Sequence, residues 1–273
     1  MAAPMKIKTV RTDAFSMDYF RFGSGEEIFV ILPGLSVQSV MLSADAIAGA
    51  YKLLADHYTV YVLDRRKEPP AGYSVYDMAA DTVQALGELN ISKATIFGAS
   101  QGGMIAAVIA IGHPELVQNL ILGSTAAKVT DRQFHTIEKW IQLAKAKKAA
   151  DLYTSFGKVL YPEQTFEQLR GALIEAAKTV TDEDLNRFTV LAQALKGFDV
   201  AADLKKIVCP ALIIGSDDDA LLGADASKQI AERLDENMDH ELYIYHGCGH
   251  AAYDTAADYK ERILNFINQR GRK

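Results

Sequence analysis

The apolar positions along this chain change their period several times. Between residues 6 and 22, Ile7, Val10, Phe15, Met17, Tyr19, Phe20 and Phe22 alternate loosely with polar neighbours, and the run ends in Gly23-Ser24-Gly25. That pattern predicts an antiparallel hairpin at a sheet edge. Ile28-Phe29-Val30-Ile31-Leu32 is apolar without alternation, as expected of a strand buried on both faces of a parallel sheet. Tyr58 to Leu63 reads the same way, and helical spacing separates the two runs. Ile47, Ala50, Tyr51 and Leu54 share a face behind Ser43, an expected N-cap, while Met78, Val83, Leu86 and Leu89 follow a Ser74/Asp77 capping box. After a short run at Thr95-Ile96-Phe97, Gly102 to Ile111 is rich in Ala and Ile and almost free of polar residues. It predicts a buried helix that ends at Gly112-His113-Pro114. Leu120-Ile121-Leu122-Gly123 is the next strand, so the series implies βαβ units, a parallel sheet and helices on both faces.

From residue 126 to residue 198 no β-rich run occurs, and helical patterns follow one another. Thr130 with Gln133, Thr165 with Gln168 and Thr181 with Asp184 mark expected helix starts. Phe134, Ile137, Trp140, Ile141 and Ala144 share one face, and Leu185, Phe188, Leu191, Ala192 and Leu195 another. The alternation then resumes with a strand from Cys209 to Gly215, a helix from Ser227 to Leu234, a strand from Glu241 to Tyr245 and a closing helix from Asp254 to Gln269. The expected organisation is an α/β core formed by residues 1–125 and 199–273, with residues 126–198 inserted as a helical cap.

Composition narrows the class. The 273 residues carry a net charge of −6, with 49% hydrophobic and 23% charged side chains, the balance of a globular enzyme-sized protein with a large core. No basic stripe is present to replace phosphate counterions, so a nucleic-acid partner is not expected. Two cysteines, Cys209 and Cys248, cannot staple a chain of this length and are expected to be reduced. The amino terminus lacks the apolar stretch of a signal peptide and no run is long enough to span a bilayer, which points to a cytoplasmic protein. Oligomeric state stays open, a homodimer included.

In an open α/β sheet, ligands bind beyond the carboxyl ends of the strands. Polar residues follow three predicted strands. Gly98-Ala99-Ser100-Gln101-Gly102 has the Gly-x-Ser-x-Gly form of a nucleophile elbow, in which a tight strand-to-helix turn lifts a serine hydroxyl above the sheet. Gly215-Ser216-Asp217-Asp218-Asp219 follows the second strand and Gly247-Cys248-Gly249-His250 the third. A serine hydroxyl is a weak nucleophile at neutral pH. It needs a base to take its proton and a carboxylate to hold that base in the right tautomer. Ser100, Asp218 and His250 are the candidates for these roles, with Asp217 and Asp219 as alternative acids. The plainer reading of each is an ordinary βα turn, a solvated Asp turn and a loop histidine, and His246 is read as a structural or surface residue.

These stretches, with Ile31-Leu32-Pro33-Gly34, Leu63-Asp64-Arg65-Arg66, Gly112-His113-Pro114-Glu115 and Cys209-Pro210-Ala211-Leu212-Ile213-Ile214, resemble the α/β-hydrolase superfamily along nearly the whole chain. The resemblance implies the α/β-hydrolase fold and a Ser100–His250–Asp218 triad, with Gly215 to Asp218 matching the family's Gly-x-x-Asp. It also implies an oxyanion hole formed by the backbone N–H groups of Leu35 and Gln101. Two stretches depart from the family pattern. Pro33-Gly34 stands where many relatives have His-Gly, and Asp64 to Pro70 stands where glycines are common.

A serine at the elbow excludes the family's aspartate-nucleophile branches. The expected reaction is hydrolysis of a small or medium carboxylic ester through an acyl-enzyme. Alternatives are C–C (diketone), lactone or amide hydrolysis by the same groups, or a non-catalytic receptor that only binds a ligand. Gly34, Met104, Trp140 and Phe156 are candidate pocket residues, although aromatic residues at helical spacing also serve to glue a cap to its core. No metal is expected, because no cluster has ligand spacing. No cofactor is expected either, since Gly98 to Gly103 lacks the Lys-Ser/Thr of a phosphate loop.

Overall fold

Strands that are apolar on both faces must lie between two layers of helices, and their side chains divide between two cores. The computed structural model, which describes residues 4–236 and 238–270, has this arrangement. Its sheet comprises β1 (Lys8–Arg11), β2 (Ser16–Phe22), β3 (Glu27–Leu32), β4 (Tyr58–Arg66), β5 (Ala94–Ala99), β6 (Val117–Gly123), β7 (Ala211–Ser216) and β8 (His240–Tyr245). They lie in the order β1-β2-β4-β3-β5-β6-β7-β8. The expected edge hairpin is β1 with β2, and β2 pairs antiparallel with β4. All later pairings are parallel.

The two-residue period of a strand decides which core each side chain joins. Val30, Leu32, Ile96, Leu120, Leu122 and Ile213 point to one face. There they meet α2 (Val75–Glu88) and α3 (Gln101–Gly112) through Met78, Leu86, Ile105 and Ile109. Phe29, Ile31, Val62, Phe97, Ile121 and Ile214 point to the other. Their partners come from α1 (Ala44–Ala50) and the carboxyl-terminal helix, with Tyr51, Tyr259, Ile263 and Phe266 at the contact. The helix α3 is buried along almost all its length, as its lack of polar residues predicts.

Four helices lie between β6 and β7: α4 (Asp131–Lys145), α5 (Ala149–Leu160), α6 (Glu163–Ala177) and α7 (Asp182–Gln193). The chain enters and leaves this segment side by side. Val129 N–H donates to Phe198 O at 2.9 Å and Val200 N–H to Ala127 O at 2.8 Å. Capping boxes form at Thr130/Gln133 and Thr181/Asp184, as their spacing predicts.

Several expected boundaries move. Thr165 starts no helix; α6 begins two residues earlier, after Pro162, whose fixed φ suits a helix entry. Ser43 precedes α1 without a side-chain cap, and Ser39 instead caps the 3-10 turn Val40–Ser43. β7 starts at Ala211 rather than Cys209, because Pro210 can accept from Leu120 N–H but has no N–H to give. The helix α8 is confined to Ala226–Ala231. The closing helix is two, α9 (Ala252–Thr255) and α10 (Tyr259–Asn268), separated where Ala256 takes an extended conformation. Among the described residues no helix is long and apolar enough to cross a membrane.

Candidate active site

Ser100 sits in the one-residue gap between β5 and α3 with φ 51° and ψ −118°, a left-handed conformation that a side chain adopts only under strain. Its surroundings enforce that geometry. Ser100 N–H donates to Gly123 O at 2.8 Å, and Ser100 O accepts from Gly103 N–H at 2.9 Å and from the Thr125 hydroxyl at 2.7 Å. The two motif glycines make the turn possible. A Cβ on Gly98 would stand 2.2 Å from Gly102 O, and one on Gly102 would stand 1.9 Å from Leu32 O and 2.5 Å from Pro33 O. All of these obstacles are backbone and cannot swing aside. Gly102→Ala is therefore expected to destabilise the protein by about 3 kcal/mol or more. A fall of roughly 6–12 °C in the calorimetric Tm would register it, and an unchanged Tm would contradict it.

Because Ser100 does not cap α3 with its side chain, Oγ is free to face the loop after β8. His250 Nε2 lies 2.9 Å from Ser100 Oγ, and its Nδ1 lies 2.8 Å from Asp219 Oδ2. A carboxylate only accepts, so Nδ1 carries the proton and the Nε2 lone pair points at the serine hydroxyl. The His250 side chain is 1% exposed and the Asp219 side chain 5%, so bulk water does not compete for their hydrogen bond. Gly247 and Gly249, with φ of 67° and 68°, shape the loop that delivers the histidine. Ala251 N–H anchors the same loop to Leu160 O at the end of α5, at 2.9 Å.

The acid differs from the expected one. Asp218 Oδ1 accepts from Ser216 Oγ at 2.5 Å and from Gly249 N–H at 2.9 Å, and it does not meet the histidine. Asp219 takes that place. Its Oδ1 accepts from the N–H groups of Leu221 and Leu222 at 2.9 and 2.8 Å, which turns Oδ2 towards His250. Burial raises the Asp219 pKa, but the imidazole and the two N–H groups outweigh it and hold the carboxyl below its ordinary value. Asp217 pairs instead with His246, at 2.5 Å on the exposed surface, in keeping with the surface reading of that histidine.

Of the proposed pocket residues, Gly34, Trp140 and Phe156 line a cavity of about 20 Å³ together with Leu35, Ser100 and His250. That volume is room for about one or two waters. The backbone at Gly34 runs close to the serine, since a Cβ there would be 3.3 Å from Ser100 Cβ. Trp140 and Phe156 contact each other with centroids 4.6 Å apart. Met104 does not line the cavity. One turn beyond Ser100, its side chain is buried in the core beneath α3. Ile137, Leu160, Leu195, Leu221 and Tyr253, none of them expected in the pocket, complete the wall; Tyr253 and Leu221 lie three and two residues beyond His250 and Asp219. Gln101 reaches α7 with its side chain, Nε2 donating to Leu191 O at 2.7 Å.

A family model described as alpha/beta hydrolase fold matches residues 27–257. Over 224 residues the chain is 26% identical to the "Putative carbamate hydrolase RutD" of Agrobacterium fabrum, covering 78% of this chain and 84% of that one. In structure it is similar to MGS-M2, an alpha/beta hydrolase from a Medee basin deep-sea metagenome library, with a TM-score of 0.85, 22% identity and coverage of 96% and 97%. It is also similar to the enol-lactonase of Burkholderia xenovorans LB400, with a TM-score of 0.82, 17% identity and coverage of 96% and 100%. The chain belongs to the alpha/beta hydrolase fold family, and hydrolase is the class of activity that this family and the curated relatives carry.

Proposed function

We propose that the protein is a serine hydrolase that cleaves esters of short acyl groups through an acyl-enzyme. The observation that carries this reading is the unbroken chain of contacts from the half-buried Ser100 Oγ through the buried His250 to Asp219. Ser100 Oγ attacks the ester carbonyl while its proton passes to His250 Nε2. Asp219 holds the imidazole tautomer and stabilises the imidazolium. Oxyanion charge develops towards the N–H groups of Leu35 and Gln101; the latter lies in the first turn of α3, where N–H groups lack intrahelical partners. His250 then gives its proton to the leaving alcohol. A water, deprotonated by the same nitrogen, releases the acyl group and restores the serine. Residues 126–198 act as the cap over this site, and their Trp140 and Phe156 wall supports a short acyl group, because little space remains beside Ser100.

A carbamate is the second reading. It presents the same carbonyl carbon to the serine with nitrogen in place of the acyl carbon, and the name of the curated relatives favours it. Labelling with a fluorophosphonate is expected to modify Ser100 in the folded protein. No adduct would leave a binding protein as the surviving interpretation. Across p-nitrophenyl esters, turnover is expected to be highest for acetate or propionate and to fall for longer chains. Phe156→Ala should shift that preference towards butyrate or hexanoate. Turnover of a p-nitrophenyl carbamate in preference to every ester would select the second reading.

A further inference from the structure

Proline at position 33 creates a positioning problem that another residue must solve. Its ring locks φ but leaves ψ free, and ψ decides where the Pro33 carbonyl points. That carbonyl belongs to the peptide just before the one that presents Leu35 N–H. Pro33 O touches two things. One is α3, where it comes within 2.5 Å of the Cβ position that Gly102 leaves empty. The other is the guanidinium of Arg65, whose Nη2 donates to it.

Arg65 is only 4% exposed, at the carboxyl end of β4. Burial pushes its pKa down to about 10 against the opposing pull of Asp64, so it remains charged at neutral pH. Its strand end is held in turn by the helical segment. Arg187 of α7 donates to Arg65 O at 3.1 Å, to Arg66 O at 3.3 Å and to Asp64 Oδ1 at 3.0 Å. Ser39 Oγ, from the loop that follows Leu35, donates to Asp64 Oδ2 at 2.6 Å. A buried cation with no solvent to satisfy it is thus fixed between the helical segment and one carbonyl of the oxyanion loop.

We infer that Arg65 is a positioning residue for the oxyanion hole: by gripping Pro33 O it sets the Pro33–Gly34 peptide, and with it the direction of Leu35 N–H towards the charge that forms on the substrate. The inference rests on the serine-hydrolase reading. Labelling and ester turnover by the wild type test that reading separately, before any Arg65 variant is compared.

The test measures kcat, KM and inhibition by a short alkyl boronic acid, which forms a tetrahedral adduct on the serine. Rates are normalised to Ser100 titrated with fluorophosphonate. Arg65→Met is expected to lower kcat by about 10- to 100-fold, less than the roughly 10²- to 10³-fold lost when an oxyanion donor itself is removed. KM should stay within a factor of about three, and boronate affinity should fall in parallel with kcat/KM, as lost transition-state stabilisation requires. Arg65→Lys, which keeps a donor and the charge, should recover part of both losses. Wild-type kcat in Arg65→Met, or a loss confined to KM with boronate inhibition intact, overturns the inference. If the Met variant does not fold, Arg65→Lys decides: kcat and boronate affinity reduced together support positioning, and a lowered Tm with both at wild-type values overturns it.

Discussion

Ser100→Ala, His250→Ala and the double variant are expected to retain the same residual ester turnover, each about 10⁶-fold below the wild type in kcat. The equality is the informative part. In the proposed mechanism, Ser100 Oγ and the His250 Nε2 lone pair, 2.9 Å apart, perform one event, proton transfer coupled to nucleophilic attack. Once either is gone, the other has nothing left to contribute, and such units are non-additive. What remains is the contribution of the oxyanion donors and of substrate binding, roughly 10³- to 10⁴-fold over water, and all three variants keep it. Steady-state kinetics on a short p-nitrophenyl ester, with each variant purified away from wild-type carry-over, measures this directly. A single variant that keeps more than about 1% of wild-type kcat would mean that proton transfer and attack are not joined in this pair. A double variant well below the singles would mean that the two act independently.

What the chain discloses before folding follows from which forces are local. The unbroken apolar run at Ile28–Leu32 had to lie between two helical layers, since both of its faces need burial. The capping boxes at Thr130 and Thr181 are closed by residues three positions away, so their spacing sufficed. The Thr165 pair has the same spacing, yet Pro162 had already started the helix, and propensity at one position overrode the pattern at another. In the site, Ser100 and His250 were legible because glycines flank them for steric reasons that hold in any context. The acid was not. Asp217, Asp218 and Asp219 are chemically equal in sequence, and only the turn after β7 sends one out to His246, one back to Ser216 and Gly249, and one inward to His250. Arg65 was invisible as a partner of Pro33 for a related reason: the contact joins residues 32 positions apart across neighbouring strands.

That three-way division gives the sharpest test of the site. Asp219→Asn is expected to lower kcat by about 10⁴-fold, whereas Asp218→Asn should stay within about two- to threefold of wild type, as for a change worth roughly 0.5 kcal/mol. In the first variant the fold survives. The new amide oxygen can still accept from the N–H groups of Leu221 and Leu222, but its nitrogen then faces Nδ1 as a donor. The imidazole must turn its lone pair to that side and put its proton on Nε2, where it can no longer receive the serine proton. In the second variant, the bonds from Ser216 and Gly249 fall on one oxygen, Oδ1, and an asparagine carbonyl can keep both. Linkage to pH provides an independent readout. Because the folded-state pKa of Asp219 lies below its ordinary value, its charge stabilises the fold fully above the unfolded-state value. That contribution is lost as pH falls through the folded value. Urea unfolding should show a stability advantage of wild type over Asp219→Asn that is largest near neutrality and shrinks on the acid side. A difference independent of pH, or equal kinetic losses in the Asp218 and Asp219 variants, would remove Asp219 from the relay.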